Sequence, residues 1–494
     1  MERDRAITRR VFGAGLIGLT AKADRRITGS FVNESFPLGH RLRDRAPFKK
    51  PANQVRTPIV IVGGGIAGLS AAWRLNKRSF QDFVLLEMEP QAGGNARWGE
   101  NEITRYPWAA HYVPVPSKKS TLVRELFEEL GVLRDGKWDD RVLCFAPQER
   151  LYLHGRWQEG IEPDFDRDQF HRFYELMAEY RASGAFTIPI ASGRRPSDLD
   201  KTTMAAWMDQ HHFDSPHLRW YINYACRDDY GAAMREVSAW AGIHYFASRE
   251  PEERGPLTWP EGNGWITRQL LARLGHYVRT NSPVYRIARE GTRLRVLTEQ
   301  TEYIAEAVIF AAPTFLAPYI IEKAPAVQGS VYSPWLTANL TLDRPPQEKG
   351  TEPAWDNVIY DSPALGYVNA THMSLASQRE RNVWTYYWSF AETSPQQARA
   401  LLLAKDWNYW KEAILNDLAR AHPDIRQCVS RIDIMRIGHA MIRPTPGFEW
   451  NRPPDLCTHV FPANSDLSGI SIFEEAQHNG VVAADQALKV VSRA

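Results

Sequence analysis

A short apolar strand, a glycine-rich turn and the start of a helix follow one another early in the chain, and this succession constrains the fold most strongly. Apolar residues from Ile59 to Val62 precede the turn, and Gly63, Gly65 and Gly68 stand at the G-x-G-x-x-G spacing. In such a motif the first glycine permits a tight turn, the second lets the backbone approach a pyrophosphate, and the third lets the helix pack closely on the strand. The helix N-terminus also presents free N–H groups to phosphates. The pattern predicts a dinucleotide-binding unit.

A second apolar strand follows the helix and ends in an acidic residue. Residues 83–86 read Phe-Val-Leu-Leu, and Glu87 comes directly after them, 24 residues beyond Gly63. At about this spacing a carboxylate accepts hydrogen bonds from the ribose hydroxyls of a bound dinucleotide. A βαβ unit without a ligand is the alternative, and the strand–turn–helix context disfavours it. On these residues alone, nicotinamide and flavin dinucleotides are both compatible with the fold.

Composition and charge exclude several classes of function. The net charge of +2 over 494 residues is too small to indicate a nucleic-acid partner or a membrane-coating surface. The four cysteines are scattered, without a CxxC pair, and the closest histidines (His211, His212 and His217) lie in a polar stretch that favours a surface over a metal site. We therefore expect no metal site and no nucleic-acid partner. No stretch of the chain reaches 18 uninterrupted apolar residues, so the sequence predicts no membrane-spanning helix.

The first 23 residues have the pattern of an export signal. Residues 8–12 read Thr-Arg-Arg-Val-Phe, a weakly apolar run extends to Ala21, and residues 21–23 form an A-x-A-like cleavage site. The three parts in this order predict a twin-arginine signal peptide, recognition by the twin-arginine translocase and a periplasmic location. The alternative is a basic tail of a cytoplasmic protein that contains an arginine pair by chance.

A second glycine pair follows the predicted ribose-binding acid. Gly93-Gly94 resembles a motif of the flavin-containing amine oxidase and phytoene-desaturase-like family, which nicotinamide dehydrogenases lack. In that family the pair brings backbone amides onto the cofactor phosphates and is followed by an arginine. Asn95 occupies the arginine position here, and Arg97 comes two residues later. Both a phosphate contact by Arg97 and a solvated loop arginine remain open.

Later segments are similar to the same family. The stretch around Ala109 and Ala110 aligns with the part that passes the flavin ring, where small residues let the backbone lie against the isoalloxazine. The main chain at Val284 is implied to contact the adenine end. Near the C-terminus, a strand, an acidic turn and a long helix resemble the last motif of the family. The resemblance implies that Asp466 reaches the ribityl–phosphate region and that the helix start at Ala476 points at the pyrimidine edge.

Together the motifs and the resemblance imply a non-covalently bound FAD. The cofactor-binding residues that they imply are Gly63, Gly65, Ala67, Gly68, Glu87, Gly93, Gly94, Arg97, Ala109, Ala110, Val284, Asp466 and Ala476. Cys457, just before the last motif, raises the alternative of a covalent flavin bond. It lacks the neighbouring pattern of families that use such a bond, which favours a buried strand cysteine.

The resemblance implies an α/β fold of the monoamine-oxidase type. A discontinuous Rossmann-type FAD-binding domain would carry an inserted α+β substrate domain. The predicted boundaries are 1–23 for the signal peptide, 24–56 for an extended arm, 57–135, 255–330 and 431–494 for the three parts of the FAD-binding domain, and 136–254 (mainly helical) and 331–430 for the two parts of the substrate domain.

The chemistry that the resemblance implies is oxidation of a C–H bond next to an amine nitrogen, by hydride transfer to flavin N5. Many oxidases of the family have a lysine that holds a water near N5, and Thr337 occupies this position here. The absence of this lysine is evidence against an oxygen-using oxidase and leaves dehydrogenase, desaturase and non-redox isomerase or mutase roles open. O2, a quinone and a redox protein are the alternative electron acceptors. A non-catalytic flavin-bearing binding protein is the alternative from another class.

The residues that would act on a substrate are predicted less sharply than the cofactor site. His111, Thr337 and Trp388 are the candidate catalytic residues, although a structural role is the favoured alternative for His111. An aromatic cage around an amine could draw on Trp108, Trp384, Tyr386, Tyr387 and Trp388. In a strand, Tyr387 points away from the face that Trp384, Tyr386 and Trp388 share, and that shared face is more often core than pocket.

An acidic pair offers a further recognition element. Asp228 and Asp229 follow Arg227 after a helical pattern. Two carboxylates can recognise a cationic substrate. A solvated turn that caps the helix is the equally favoured alternative.

Overall fold

The computed structural model describes residues 26–32, 35–193, 198–249, 255–326, 329–374, 380–448 and 456–492, so the predicted signal peptide lies outside the described residues. Twenty strands lie in these ranges. They are β1 (Asn53–Arg56), β2 (Ile59–Val62), β3 (Phe83–Leu86), β4 (Trp98–Glu100), β5 (Arg105–Pro107), β6 (Leu133–Arg134), β7 (Lys137–Trp138), β8 (Glu149–Leu153), β9 (Arg156–Glu159), β10 (Val278–Arg279), β11 (Arg286–Glu290), β12 (Arg293–Leu297), β13 (Thr301–Ala305), β14 (Ala307–Phe310), β15 (Val331–Leu342), β16 (Asp356–Ile359), β17 (Gly366–Asn369), β18 (Asn382–Trp388), β19 (Val429–Arg443) and β20 (Val460–Pro462).

Thirteen α-helices lie in the same ranges. They are α1 (Phe36–Arg43), α2 (Ile66–Lys77), α3 (Thr121–Glu129), α4 (Arg167–Ala182), α5 (Met204–Gln210), α6 (Pro216–Tyr230), α7 (Ala239–Ala247), α8 (Gly264–Leu274), α9 (Ala317–Ile320), α10 (Pro395–Ala404), α11 (Trp407–Leu418), α12 (Ile425–Cys428) and α13 (Phe473–Val491). None of these helices is long and apolar enough to cross a membrane.

The half of the molecule that contains the glycine turn is called the cofactor half here. At its centre is a five-stranded parallel sheet in the order β10-β3-β2-β14-β20. Every residue of β2, β3 and β14 is buried, as expected of parallel strands with both faces covered. The predicted Rossmann-type sheet is thus present, and it is assembled from segments far apart in the chain.

The first and last helices of this half contact each other through their backbones. A Cβ atom added to Gly480 of α13 would lie 2.1 Å from the carbonyl oxygen of Ala67 in α2. Only glycine permits this approach, so the C-terminal helix is held against the helix that follows the glycine turn.

The second half contains a seven-stranded sheet in the order β19-β15-β18-β17-β16-β8-β9. One face of β15 and β18, with Leu336, Leu340, Trp384 and Tyr386, packs in a core with α10 and α11. The opposite face carries Trp335 and other side chains toward the cofactor half and the α4–α7 helices. Because side chains alternate along a strand, this sheet separates a closed core from the face that borders the site.

The structure differs from several predicted boundaries. Residues 431–443 belong to β19 of the seven-stranded sheet, whereas the predicted boundaries put them in the FAD-binding domain. The mainly helical segment 136–254 also contributes the β8–β9 hairpin to that sheet. The arm is not extended throughout, because Phe36–Arg43 forms α1, with a proline in its first turn and Leu42 buried.

Candidate functional site

A cavity of about 320 Å³ lies beside the glycine turn, where β2, β3 and β14 end. Most of the predicted cofactor-binding residues line it. They are Gly63, Gly65, Ala67, Glu87, Gly93, Gly94, Arg97, Ala110, Val284, Asp466 and Ala476. Of the other two, Gly68 lies behind the turn and Ala109 lines a neighbouring cavity.

Each glycine of the turn has its own steric reason. Gly63 has a φ of +104°, and a Cβ atom on Gly68 would lie 1.9 Å from the carbonyl oxygen of Gly63. A Cβ atom on Gly65 would meet only the Cα of Gly94, at 3.9 Å. Gly63 and Gly68 are therefore required by the protein itself, whereas the space at Gly65 is free for a ligand.

Glu87 is buried at the end of β3, with its carboxylate facing the turn. Its Oε2 accepts a hydrogen bond from the backbone N–H of Gly64 at 2.6 Å, and its Oε1 accepts one from the N–H of Glu89 at 2.8 Å. Burial raises the pKa of Glu87, and these two hydrogen bonds oppose the rise. Each oxygen keeps a second lone pair for a ligand hydroxyl.

Gly93 and Gly94 form the opposite lip of the cavity with positive φ angles of 133° and 55°. The N–H of Gly93 donates to the carbonyl of Gly64 at 2.8 Å, which ties the two glycine segments together. The side chain of Arg97 is only 11% exposed and forms an ion pair with Glu89 at 3.2 Å. The alternative of a solvated loop arginine is therefore wrong, and Arg97 lines the cavity.

Asp466 closes the far side of the cavity. Its Oδ2 accepts hydrogen bonds from the Thr314 N–H at 2.8 Å, the Thr314 hydroxyl at 3.0 Å and the Tyr332 hydroxyl at 2.7 Å. Its Oδ1 is buried and has no partner among the described residues. Burial raises the pKa of Asp466, and these donors oppose the rise. A fixed carboxylate with one unused oxygen is a ready acceptor for a ligand hydroxyl.

A second cavity of about 130 Å³ adjoins the first. Residues from several elements line both. They are Asn95, Ala110, Asn263, Ala440, Ser471, Ile472 and Phe473. Tyr112, Trp335 and Tyr387 supply aromatic walls to the second cavity alone. A ligand that fills the first cavity could thus meet a smaller molecule in the second.

His111 lies in the wall of the second cavity, between the rings of Tyr112 and Tyr387. Its Nδ1 lies 3.3 Å from the carbonyl oxygen of Ala109. Because a carbonyl only accepts, Nδ1 carries the proton in this contact and Nε2 is left as an acceptor. Burial lowers the pKa of His111 to about 4, so the imidazole is neutral at neutral pH.

The acidic pair lies in the second cavity, inside α6 rather than in a turn after it. Asp228 and Asp229 both line the cavity, and the Asp229 side chain is 15% exposed. The alternative of a solvated capping turn is therefore wrong. Burial raises the pKa of Asp228 to about 7, and the charge of Asp229 adds to the rise. Burial also raises the pKa of Asp229, while Arg249, 3.8 Å away, opposes it.

Several predicted substrate residues lie elsewhere. Trp388 stacks on Phe390 and packs with the closed core of the seven-stranded sheet, so the structure contradicts its candidacy for catalysis. Trp384 and Tyr386 share that face and that core, whereas Tyr387 alternates onto the cavity face. Trp108 packs in a separate small core outside both cavities.

Thr337 and Cys457 do not line either cavity. Thr337 is fully buried in β15, and its hydroxyl has no partner among the described residues. Cys457 precedes β20 rather than lying in it, and it is part-buried against the core beside the parallel sheet.

Some residues of the site could not be identified from motifs. Leu42, Thr314, Tyr332 and Asn263 line or support the first cavity, yet they come from the arm, from the start of β15 and from segments between elements. Asn263 had a usable signal, since it lies between two glycines directly before a helical pattern. For Leu42 the sequence carries no comparable signal.

Comparison with known proteins adds a family to this geometry. The family model of flavin-containing amine oxidoreductases matches residues 66–436. A flavin-containing amine oxidase of Oncorhynchus mykiss is 25% identical over 292 residues, which is 52% of this chain and 50% of that protein. The chain spans between half and three fifths of the length of the curated amine oxidases it matches.

Solved structures agree on the fold. A putrescine oxidase with bound putrescine has a TM-score of 0.67 at 16% identity, over 88% of this chain and 100% of that one. A cyclohexylamine oxidase from Brevibacterium oxydans has a TM-score of 0.64 at 15% identity, with the same coverage of both chains. At such low identities, these likenesses show a common fold alone.

Proposed function

The chain belongs to the family of flavin-containing amine oxidoreductases, and on this premise we propose that it is an FAD-dependent enzyme that oxidises a C–H bond next to an amine nitrogen. The observation that carries the proposal is the acidic pair in the aromatic-walled cavity that adjoins the dinucleotide cavity. The family makes the chain a flavin oxidoreductase; the identity of the flavin, the amine and the hydride transfer are our inference.

The residues of the first cavity fit FAD bound without a covalent bond. The space at Gly65 suits a pyrophosphate, the carboxylate of Glu87 suits ribose hydroxyls, and the unused oxygen of Asp466 suits a ribityl hydroxyl. Arg97 contributes a positive charge to the same cavity. Cys457 is not among the lining residues, which supports non-covalent binding. When bound, FAD supplies N5 as the hydride acceptor.

The second cavity suits a protonated amine on its way to the reacting position. The carboxylates of Asp228 and Asp229 attract a cation, and the faces of Tyr112, Trp335 and Tyr387 stabilise it further. Charge selection in a cavity of this size disfavours a fatty acid or another anionic substrate. Arg249 offsets part of the negative charge, because it lies 3.8 Å from Asp229.

His111 and the aromatic walls orient the amine and exclude water. The neutral imidazole can accept a hydrogen bond at Nε2 from a substrate N–H group, since its Nδ1 proton is directed to Ala109. The Tyr387 hydroxyl donates to the same carbonyl at 3.0 Å, which fixes the small-residue segment between the two cavities. These groups hold the substrate. The bound ammonium must lose a proton before its C–H bond can transfer a hydride, and the carboxylates of Asp228 and Asp229 in the same cavity can accept that proton.

Purification and a substrate panel test the proposal. We expect a yellow protein that releases FAD on denaturation and is bleached by cationic amines without air. Rapid recovery in air would indicate O2 as the acceptor. Slow recovery would indicate a quinone or redox protein. A colourless protein overturns the flavin assignment, and a yellow protein that no amine bleaches favours a desaturase, an isomerase or mutase, or a binding protein.

We also propose export to the periplasm by the twin-arginine route. The Thr-Arg-Arg-x-Phe sequence, the apolar run and the A-x-A-like site support it. Replacing Arg9 and Arg10 by lysine keeps the charge, and it should retain the protein in the cytoplasm. Unchanged recovery from the periplasm would refute export by this route and leave the cytoplasmic alternative.

A further inference from the structure

The segment that precedes the glycine turn runs across the edge of the molecule next to the cofactor cavity. The family model matches only from residue 66 onward, so this arm lies outside the matched region. Its described part, residues 26–32 and 35–56, contacts both halves of the fold. An arm that bridges the two halves beside a cavity can control what leaves that cavity.

The first part of the arm covers the edge of the seven-stranded sheet. Residues 28–32 bond to β19 at the outer edge, through Thr28 N–H to Ser430 O at 3.0 Å and Ile432 N–H to Thr28 O at 2.8 Å. Phe31 lies under the guanidinium of Arg436, at 3.8 Å. Backbone pairing to a strand edge holds the arm in a defined register.

The next part of the arm reaches the lip of the cavity through a chain of polar contacts. The Ser35 hydroxyl donates to Oε2 of Glu89, and the same oxygen forms the ion pair with Arg97. Arg97 lines the cavity. A docked arm therefore helps to fix the charge that a cofactor phosphate would meet.

Helix α1 then forms part of the cavity wall. Leu42 is 5% exposed, lines the cavity and packs in one apolar cluster with Val284 and Ile320. Arg41 anchors the helix by a hydrogen bond to Glu299 at 3.2 Å and by stacking over Phe48 at 4.2 Å. Leu42 therefore lies on the side of the cavity where Val284 is implied to meet the adenine.

We propose that the arm is an additional part of the cofactor site, in which Leu42 and the Ser35–Glu89 contact retain the adenosine end of FAD. The proposal rests on FAD binding as stated above. With the arm docked, Leu42 of α1 forms part of the wall of the occupied cavity. By linkage, bound FAD must stabilise the docked arm as much as the arm stabilises bound FAD.

The test is the rate at which FAD leaves the full-length holoprotein, followed by the fluorescence of released flavin after dilution. For Leu42→Ala and Ser35→Ala we expect dissociation about tenfold faster than for the wild type, the factor that corresponds to about 1.4 kcal/mol. Val55→Ala is the matched control, because Val55 is 45% exposed on β1, in the same arm, and lines neither of the two cavities. Its dissociation rate should be that of the wild type.

Hydrogen exchange supplies the reciprocal measurement. Amides of residues 28–32 and 35–48 should exchange more slowly in the FAD-bound protein than after the flavin is removed. Dissociation rates within twofold of the wild type for both variants, or equal exchange with and without FAD, would overturn the proposal while leaving FAD binding intact. If Leu42→Ala does not fold, the more conservative Ser35→Ala decides. A purified protein without flavin would overturn the proposed function and this inference together.

Discussion

Removing the charge of Asp228 should weaken the binding of cations in the second cavity. Asp228→Asn keeps the shape of the side chain, which lines that cavity and has no hydrogen bond or ion pair among the described residues. For an amine substrate, whose N–H groups donate to the carboxylate, loss of a hydrogen bond to a charged group typically costs about 1.5–3 kcal/mol. That range corresponds to about a 10- to 150-fold weaker affinity.

A quaternary ammonium inhibitor separates the carboxylate from the titration of the substrate, because its own charge does not change with pH. Ionised Asp228 attracts the cation, and its ionised fraction rises with pH through a pKa of about 7. For a pKa near 7 that fraction grows about 30-fold between pH 5.5 and pH 8.5. The inhibition constant of benzyltrimethylammonium should therefore fall as the pH rises over this range.

The variant and a control decide the outcome. With Asp228→Asn, inhibition should be weak, and the fall of the inhibition constant through pH 7 should disappear. Asp168→Asn, at an exposed position in α4, should behave as the wild type at every pH. An inhibition constant that is independent of pH in the wild type, or a variant that binds the inhibitor normally, would refute a cation-binding role for the acidic pair.

Three further predictions concern single positions. Burial raises the pKa of Glu475 to about 7, so the unfolded state binds fewer protons than the folded state between about pH 4.5 and 7, and stability falls as the pH rises. The free energy of unfolding of Glu475→Gln, relative to that of the wild type, should therefore increase by up to about 3 kcal/mol from pH 5 to pH 8 in thermal or urea unfolding. Gly65→Ala should leave the melting temperature of the flavin-free protein unchanged and weaken FAD in a titration, whereas Gly68→Ala should lower the melting temperature itself, because its Cβ meets a backbone oxygen at 1.9 Å; equal melting temperatures for the two would contradict this distinction. Thr337→Val should leave the rate of reoxidation by O2 unchanged, and it should change the unfolding free energy by no more than about 1 kcal/mol, because the hydroxyl has no partner among the described residues. A large loss of activity would restore Thr337 as a catalytic candidate.

The cofactor half could be predicted from sequence because the local backbone geometry requires particular residue types there. Gly63 and Gly68 are required by a turn and a helix contact, and Glu87 ends a strand whose position follows from the turn. Such constraints act over a few residues and leave a local pattern. Arg97 shows the limit of this reasoning, since its burial depends on an ion pair with Glu89 that spacing alone does not reveal.

The substrate half depends on contacts between distant segments. Strand alternation correctly puts Tyr387 and Trp388 on opposite faces of β18, but only the packing of α10 and α11 shows which face is closed. Asp228 and Asp229 could not be assigned from sequence because helix α6 continues through them to Tyr230. No sequence pattern in the arm marks Leu42 as a site residue, because its role depends on a cavity that other segments build.

The backbone contact between Gly480 and Ala67 also sets an order of events during synthesis. About 400 residues separate the two positions, and at roughly 5–20 residues per second a ribosome needs tens of seconds to make them. Helix α2 therefore emerges long before the helix that covers it, and its buried alanine and glycine face waits without a partner. Asp466 and Ala476 also follow α2 by about 400 residues, so the pocket is complete only after α13 has left the ribosome. Flavin should then bind only after α13 has been made, and a cell short of flavin would accumulate apoprotein that already contains every segment of the pocket.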